Sequence, residues 1–320
     1  MNETERVRNA FQGKAVDRPP VGFWFHFPPE QALGQPCVDA HLRYYNHSRV
    51  DIVKIMCDGY FTYPDLESVS CANDLYDLKP LGKDHPFIRE QVDRVKAVRE
   101  GLTRDLCTFY NVFAPFSSIR FGSSDEFVMD CIREDPNAVK HALSVISETN
   151  SLLAELCVTE GGCEGIYYCV QGGEKERFTP EQYREWITPS DRAVLEHVNR
   201  FTPNNMLHCC GWAGIQNNLS VWQDYPAAVF NWACFIEGVS VPEGKRFFGG
   251  KPVLAGFDNR PGGVLYSGSK AEVQSFTREL IASMDGQTGF LLGADCTLPA
   301  GIDPARFDWV AEAAEACAKA

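Results

Sequence analysis

The sequence predicts a single (β/α)8 barrel spanning residues 1–320. Three observations carry that expectation. Short apolar, aromatic-rich runs recur eight times, longer amphipathic segments separate them, and polar side chains gather where the runs stop. Runs that are apolar throughout, rather than alternating, mark parallel strands covered on both faces. A doubly wound open sheet is the rival, but no Gly-x-Gly-x-x-Gly follows the first run.

Taken in order, the runs are "VGFWFHF" (21–27), "DIVKIMCD" (51–58), "LCTFYNVFAP" (106–115), "GIYYCVQ" (165–171), "NMLHCC" (205–210), "AVFNWAC" (228–234), "PVLAGFD" (252–258) and "GFLLGADC" (289–296). The segment 135–157 opens on Asp135 with Pro136 as its first helical residue, and 269–285 opens on Ser269. Both are favourable helix starts, because the cap side chain accepts from free N–H groups and proline has none to satisfy. Residues 179–199 carry a helical pattern, and "DPARFDWVAEAAEACAKA" (303–320) is the expected closing helix. No repeat, low-complexity tract or linker divides the chain.

Composition narrows the function classes. With 44% hydrophobic and 23% charged residues the chain is an ordinary globular one. A net charge of −13 without any lysine or arginine run argues against nucleic acid. The first twenty residues are polar, and no apolar run reaches the roughly 18 residues of a membrane span. The expectation is a cytoplasmic protein with no membrane partner. Of the 13 cysteines, Cys57, Cys107, Cys131, Cys157, Cys169 and Cys234 sit singly among apolar neighbours and read as reduced, small hydrophobes.

Barrel chemistry sits at the C-terminal ends of the strands. The side chains expected there are His26, Asp58, Gln171, His208, Cys210, Asp258, Asp295 and Cys296. Strand residues i and i+2 share a face, about 6.5–7 Å apart. His208 and Cys210 therefore both turn inward while Cys209 turns toward the helices. Paired Cys-x-x-Cys spacings of a structural zinc are missing, whereas His-x-Cys plus Cys296 makes an open, three-ligand catalytic site. Two other readings stay open on these residues alone: buried thiols beside a core histidine, and a Cys210 nucleophile with His26 or His208 as base.

Over nearly its whole length the chain resembles the uroporphyrinogen decarboxylase superfamily. The resemblance is carried by "DRPPVGFWFH", "VDIVKIMCDGYFTYP", "APFSSIRFG", "FTPEQYREWITPSDRAVLEHVN", "LHCCGW", "GGVLYSGSKAEV" and "LLGADCTLPAGIDPARFDWVAEAA", in the family's order. It implies a (β/α)8 barrel, and it separates two branches. The decarboxylases carry arginine after Arg-Pro-Pro-Val; residues 22–30 here, "GFWFHFPPE", have none. Their histidine turn at the eighth strand is replaced by Gly293-Ala294-Asp295-Cys296, and only Asp58 falls where their catalytic aspartate lies.

The other branch, the zinc-dependent, corrinoid-linked methyltransferases, is marked by His-x-Cys and a later cysteine, here His208, Cys210 and Cys296 as the metal ligands. The resemblance implies an enzyme that moves a methyl group between a corrinoid protein and a thiol such as coenzyme M, or a methoxy-type substrate. Asp58 is expected as a mouth carboxylate that orients substrate or a zinc-bound group, with capping of its own loop as the rival role. His26, Trp24, Tyr60, Gln171 and Asp258 are expected around the substrate, within an aromatic lining of Phe23, Trp24, Phe25, Tyr60, Phe61 and Trp212. None of the seven histidines stands in an Asp-x-His-x-x-Gly cobalamin segment, so the corrinoid must arrive on a partner. Uroporphyrinogen decarboxylation, or a non-catalytic barrel that binds a corrinoid or tetrapyrrole, is the alternative.

Overall fold

Each apolar run contains one strand of the computed structural model, which describes residues 1–318. The strands are β1 (Val21–Gly22), β2 (Ile52–Ile55), β3 (Cys107–Phe113), β4 (Gly165–Val170), β5 (Met206–Cys209), β6 (Val229–Trp232), β7 (Val253–Phe257) and β8 (Phe290–Ala294). They pair in parallel in the order β1-β8-β7-β6-β5-β4-β3-β2, and helices cover the outside of this (β/α)8 barrel. Among the described residues no helix is long and apolar enough to cross a membrane.

The seam between β1 and β2 is held by a carboxylate rather than by a ladder. The Asp51 N–H donates to the Val21 carbonyl at 2.8 Å, and the Asp51 carboxylate accepts from the Val21 N–H at 2.8 Å. The same carboxylate, fully buried, takes hydrogen bonds from Arg6 at 2.8 Å and Arg18 at 2.7 Å. Two guanidinium partners offset the cost of removing its charge from water. β1 is shorter than the run 21–27 because the chain leaves the sheet after Gly22, with Phe25 returning only for a bridge to Leu298.

Period-two alternation sorts the side chains. Ile52, Met56, Phe109, Tyr167, Met206, Val229, Leu254 and Leu291 fill the barrel, whereas Val53, Ile55, Tyr168, Leu207, Phe230 and Leu292 pack under the helices. Gly293 points inward where there is no room: a Cβ there would lie 2.2 Å from Leu254 Cδ2. The polar N-terminal segment hides a floor for the barrel. Helix Glu3–Phe11, capped by Asn2, sends Val7, Ala10 and Phe11 into the interior, where Phe11 stacks on Phe109 at 5.2 Å.

Helices Pro136–Thr159 and Lys270–Ser283 start where their caps predict, on Asp135 and Ser269. The pattern 179–199 forms two helices, Pro180–Trp186 and Thr188–Val198. Pro189 explains the break, since it lacks an N–H and its ring clashes with the carbonyl four residues back. The closing helix runs Ala305–Ala318; Lys319 and Ala320 of the predicted segment lie outside the described residues.

Asp51→Ala leaves buried guanidinium charge uncompensated and opens the seam. The expected loss is about 3–5 kcal/mol of unfolding free energy by urea titration. A change below about 1 kcal/mol would show that the clamp is dispensable.

Candidate metal centre and its pocket

His208 and Cys210 lie on one side of β5, as alternation requires. Leu207 and Cys209 belong to the layer beneath the helices. The Cys210 N–H still donates to the Val170 carbonyl at 3.0 Å, so the strand geometry extends one residue past β5. Cys296 arrives differently. Leu291 and Gly293 face inward on β8, so continued alternation would turn Asp295 inward and Cys296 out. Instead β8 ends at Ala294. The Asp295 carboxylate accepts from the Phe235 N–H at 2.8 Å, and Cys296 turns to the cluster. Burial pushes the Asp295 carboxyl up to about 7 despite that hydrogen bond.

The three ligand-type atoms lie within 4.8 Å of one another. Cys210 Sγ is 3.9 Å from Cys296 Sγ, which is 3.5 Å from His208 Nε2. The Cys296 thiol is held well below its ordinary range by hydrogen bonding from Cys210, against burial and helped by His208. Cys210 is pushed the opposite way by the same bond and by burial. The two sulfurs thus share one hydrogen bond, at a position where a cation can take the proton's place.

Asn231, directly across from His208 in the β5–β6 register, decides which imidazole nitrogen is free. Its Nδ2 donates to the Leu254 carbonyl at 2.7 Å and the Ala294 carbonyl at 3.0 Å. The amide is therefore locked with Oδ1 toward the barrel axis, where it accepts from the Tyr167 hydroxyl at 2.8 Å. The same oxygen contacts His208 Nδ1, which must carry the proton to donate to it. Nε2 is left bare and aimed at the thiols. A partner that fixes the tautomer in this way is usual behind metal-bound histidine.

The cluster lines a cavity of about 150 Å³ at the C-terminal end of the barrel. Its walls are His26, Lys54, Met56, Asn111, Cys169, Gln171 and Thr297, with the rings of Phe61, Phe113, Phe121 and Trp212. Gln171 donates to Cys210 Sγ at 3.6 Å. Trp212, 60% exposed, forms the outer wall over the Arg120 guanidinium, 4.9 Å from the ring. Arg120 is itself fixed by Glu174 at 2.8 Å.

Asp58 does not line the cavity. It is buried, and its carboxylate accepts from His26 Nδ1 at 2.6 Å and from the Phe27 N–H at 3.2 Å. His26 reaches the cavity in its place, with Nε2 free. Other expected positions are not brought to the pocket. Trp24 turns inward below it, edge-on to Tyr167 at 4.9 Å, just after the chain leaves β1. Tyr60 follows the left-handed turn at Gly59 (φ +85°), which sends its hydroxyl to Glu90 at 2.7 Å. Asp258 is claimed by Arg260, which binds it at 2.7 and 2.8 Å as the chain turns after β7. Phe23 and Phe25 pack outward against Phe307. Lys54, Asn111, Cys169 and Asn231 were missed. Lys54, Asn111 and Asn231 stand out in the sequence as polar residues inside apolar runs; Cys169 is indistinguishable there from a core thiol.

Asn231→Leu should release His208 to either tautomer. Metal affinity, titrated against a competing chelator, is expected to fall by roughly 10–100-fold, the usual loss when such a partner is removed. Unchanged affinity would detach Asn231 from the centre.

The comparisons agree with this architecture. The uroporphyrinogen decarboxylase (URO-D) family matches residues 57–317. No curated individual protein matches the chain. Among solved structures, a methyltransferase from Methanosarcina mazei superposes with a TM-score of 0.76 at 16% identity, covering 99% of both chains. Endo-glycoceramidase II from Rhodococcus sp. covers 93% of this chain and 80% of its own at 9% identity, with a TM-score of 0.49, too distant to bear on chemistry. The family match takes in Asp58, the His208 and Cys210 segment and Cys296, and the chain belongs to the uroporphyrinogen decarboxylase family.

Proposed function

We propose that the protein is a zinc-dependent methyltransferase, moving a methyl group between a corrinoid carried on a separate protein and a small thiol or methoxy substrate. The spacing of His208, Cys210 and Cys296 carries this reading. Tetrahedral zinc, bonded at about 2.3 Å to sulfur and 2.0–2.1 Å to nitrogen, holds its sulfurs about 3.8 Å apart and sulfur and nitrogen about 3.5 Å apart. Here Cys210 Sγ and Cys296 Sγ are 3.9 Å apart, Cys296 Sγ and His208 Nε2 are 3.5 Å apart, and all three atoms lie within 4.8 Å of one another. Three protein donors leave a position for substrate, as in catalytic rather than structural zinc sites. The family likeness to the His-x-Cys branch supports it, as does the likeness to the methyltransferase from Methanosarcina mazei.

When bound, zinc would supply Lewis acidity, lowering the pKa of a thiol or polarising a methoxy oxygen. The chain's own residues do the rest. Phe61, Phe113, Phe121 and Trp212 exclude water from the cavity. Methyl transfer to a thiol releases one proton, and demethylation of a methoxy group consumes one. His26 is placed for either, since Asp58 fixes the Nδ1 proton and leaves Nε2 at the pocket. Uroporphyrinogen is a four-ring, polyanionic macrocycle, whereas a cavity of about 150 Å³ holds a single benzene-sized ring. The corrinoid, by contrast, need only present its methyl group at the mouth.

Metal analysis of the purified chain should find one zinc, lost in Cys210→Ala and in Cys296→Ala. Retention of stoichiometric zinc in both variants would remove the assignment. The transfer itself is read from cobalt absorbance when thiols or methoxyaromatics are added with methylated or reduced corrinoid. Substrate conversion without corrinoid, with cobalt unchanged throughout, would refute the reading, and so would steady formation of coproporphyrinogen from uroporphyrinogen. His26→Ala should slow turnover by about 10²–10⁴-fold while zinc content stays intact.

A further inference from the structure

Lys54 stands on β2 between Ile52 and Met56, both inward-facing, so its side chain lies inside the barrel and is only 2% exposed. Its Nζ rests on the faces of two rings, 4.1 Å from the centre of Tyr167 and 4.9 Å from that of Trp24. On the remaining side it lines the same cavity as His208, Cys210 and Cys296. Among the described residues no oxygen accepts a hydrogen bond from Nζ and no carboxylate pairs with it.

Other buried cations of this protein are satisfied. Arg6 and Arg18 share Asp51, Arg120 binds Glu174, and Arg94 donates to the carbonyls of Met56, Asp58 and Ala32. Lys245 donates to the carbonyls of Gly250 and Lys251. Asn111, Lys54's polar neighbour in the pocket wall, already donates to Cys57 and accepts from Cys169. The metal centre does not neutralise Lys54 either, because a divalent cation with two thiolates and a neutral imidazole carries no net charge. A desolvated ammonium with ring faces below it and no acceptor above it has one open coordination direction, into the cavity.

We infer that Lys54 anchors an anionic oxygen group of the substrate, so that the pocket selects small organic anions with an apolar body of no more than one ring. The group is a carboxylate, phenolate or sulfonate held by the ammonium, and the body lies against Phe61, Phe113, Phe121 and Trp212. The inference rests on the proposed function only in placing the substrate in this pocket; recognition of the anion needs no methyl transfer.

The experiment therefore measures binding without turnover, by calorimetry on the zinc-loaded full chain with benzoate and its neutral isostere benzamide. Wild type is expected to bind benzoate at least ten times more tightly. Lys54→Met, which keeps an unbranched stem over Tyr167 and Trp24, should erase that preference while zinc content and melting temperature stay near wild type. Lys54→Gln serves as a second variant should the methionine disturb folding, with the same loss expected. Equal affinities in wild type, no binding of benzoate, or a preference that survives in both variants would overturn the inference. A failed cobalt assay alongside an intact, Lys54-dependent preference would sink methyl transfer and leave the anion site standing.

Discussion

One buried amide holds the C-terminal end of the barrel in register. Asn231 on β6 donates to carbonyls of β7 and β8, and accepts from Tyr167 of β4 and His208 of β5. Each of these groups is buried, and each left unpaired would cost about 1–3 kcal/mol. The amide is thus fixed by backbone geometry on one side and fixes ionisable chemistry on the other. His208 presents Nε2 because β7 and β8 determine which way the amide points. The candidate metal centre is an extension of sheet pairing rather than an addition to it, and its precision comes from strands that cannot shift independently.

The fold was legible because a parallel barrel leaves a coarse mark. Strands covered on both faces must be apolar throughout, and all eight fall inside such runs. What escaped depends on weaker signals. Helix Glu3–Phe11 is polar on its outer face and offers only Val7, Ala10 and Phe11 to the barrel floor, too few to read as core without knowing where the floor lies. Strand ends were also blurred. An aromatic run such as 21–27 reads as one strand, yet only two of its residues pair as a strand, because the chain leaves the sheet after Gly22.

The site was legible to the extent that strand geometry survives past each strand. It holds from His208 to Cys210, so the i, i+2 rule brought the right pair inward. For Cys296 the rule points to its neighbour: alternation along β8 favours Asp295, and only the turn after Ala294 reverses the two. Cys296 was singled out by its place at the end of the eighth run and by the resemblance, and the structure brings it beside His208 and Cys210. Trp24, Tyr60 and Asp258 sit near strand ends, but the chain's departure from β1, a left-handed turn and a local arginine take them elsewhere. Position in sequence specifies none of these. Lys54 and Asn231, by contrast, were visible as polar residues at inward parity within apolar runs, a mark that deserves the weight given to strand-end residues.

The charges at the mouth complete the picture of what this barrel can accept. A site for a polyanionic macrocycle needs several cations spread over a wide opening, and the stretch 22–30 supplies none. Here the cations near the mouth are consumed by partners: Arg120 by Glu174, Arg177 by Glu174 and Asp125, Arg260 by Asp258. Among the described residues Lys54 remains without such a partner, deep rather than peripheral, below a ring of aromatic side chains. A single buried cation under an apolar collar favours one negative group reached by a narrow body, and it penalises large or multiply charged ligands through unpaired desolvation. The thiols of Cys210 and Cys296 stand where that body must end. Charge, volume and sulfur placement therefore converge on the proposed ligand, a small anion with one end at the ammonium and the other at the candidate metal centre.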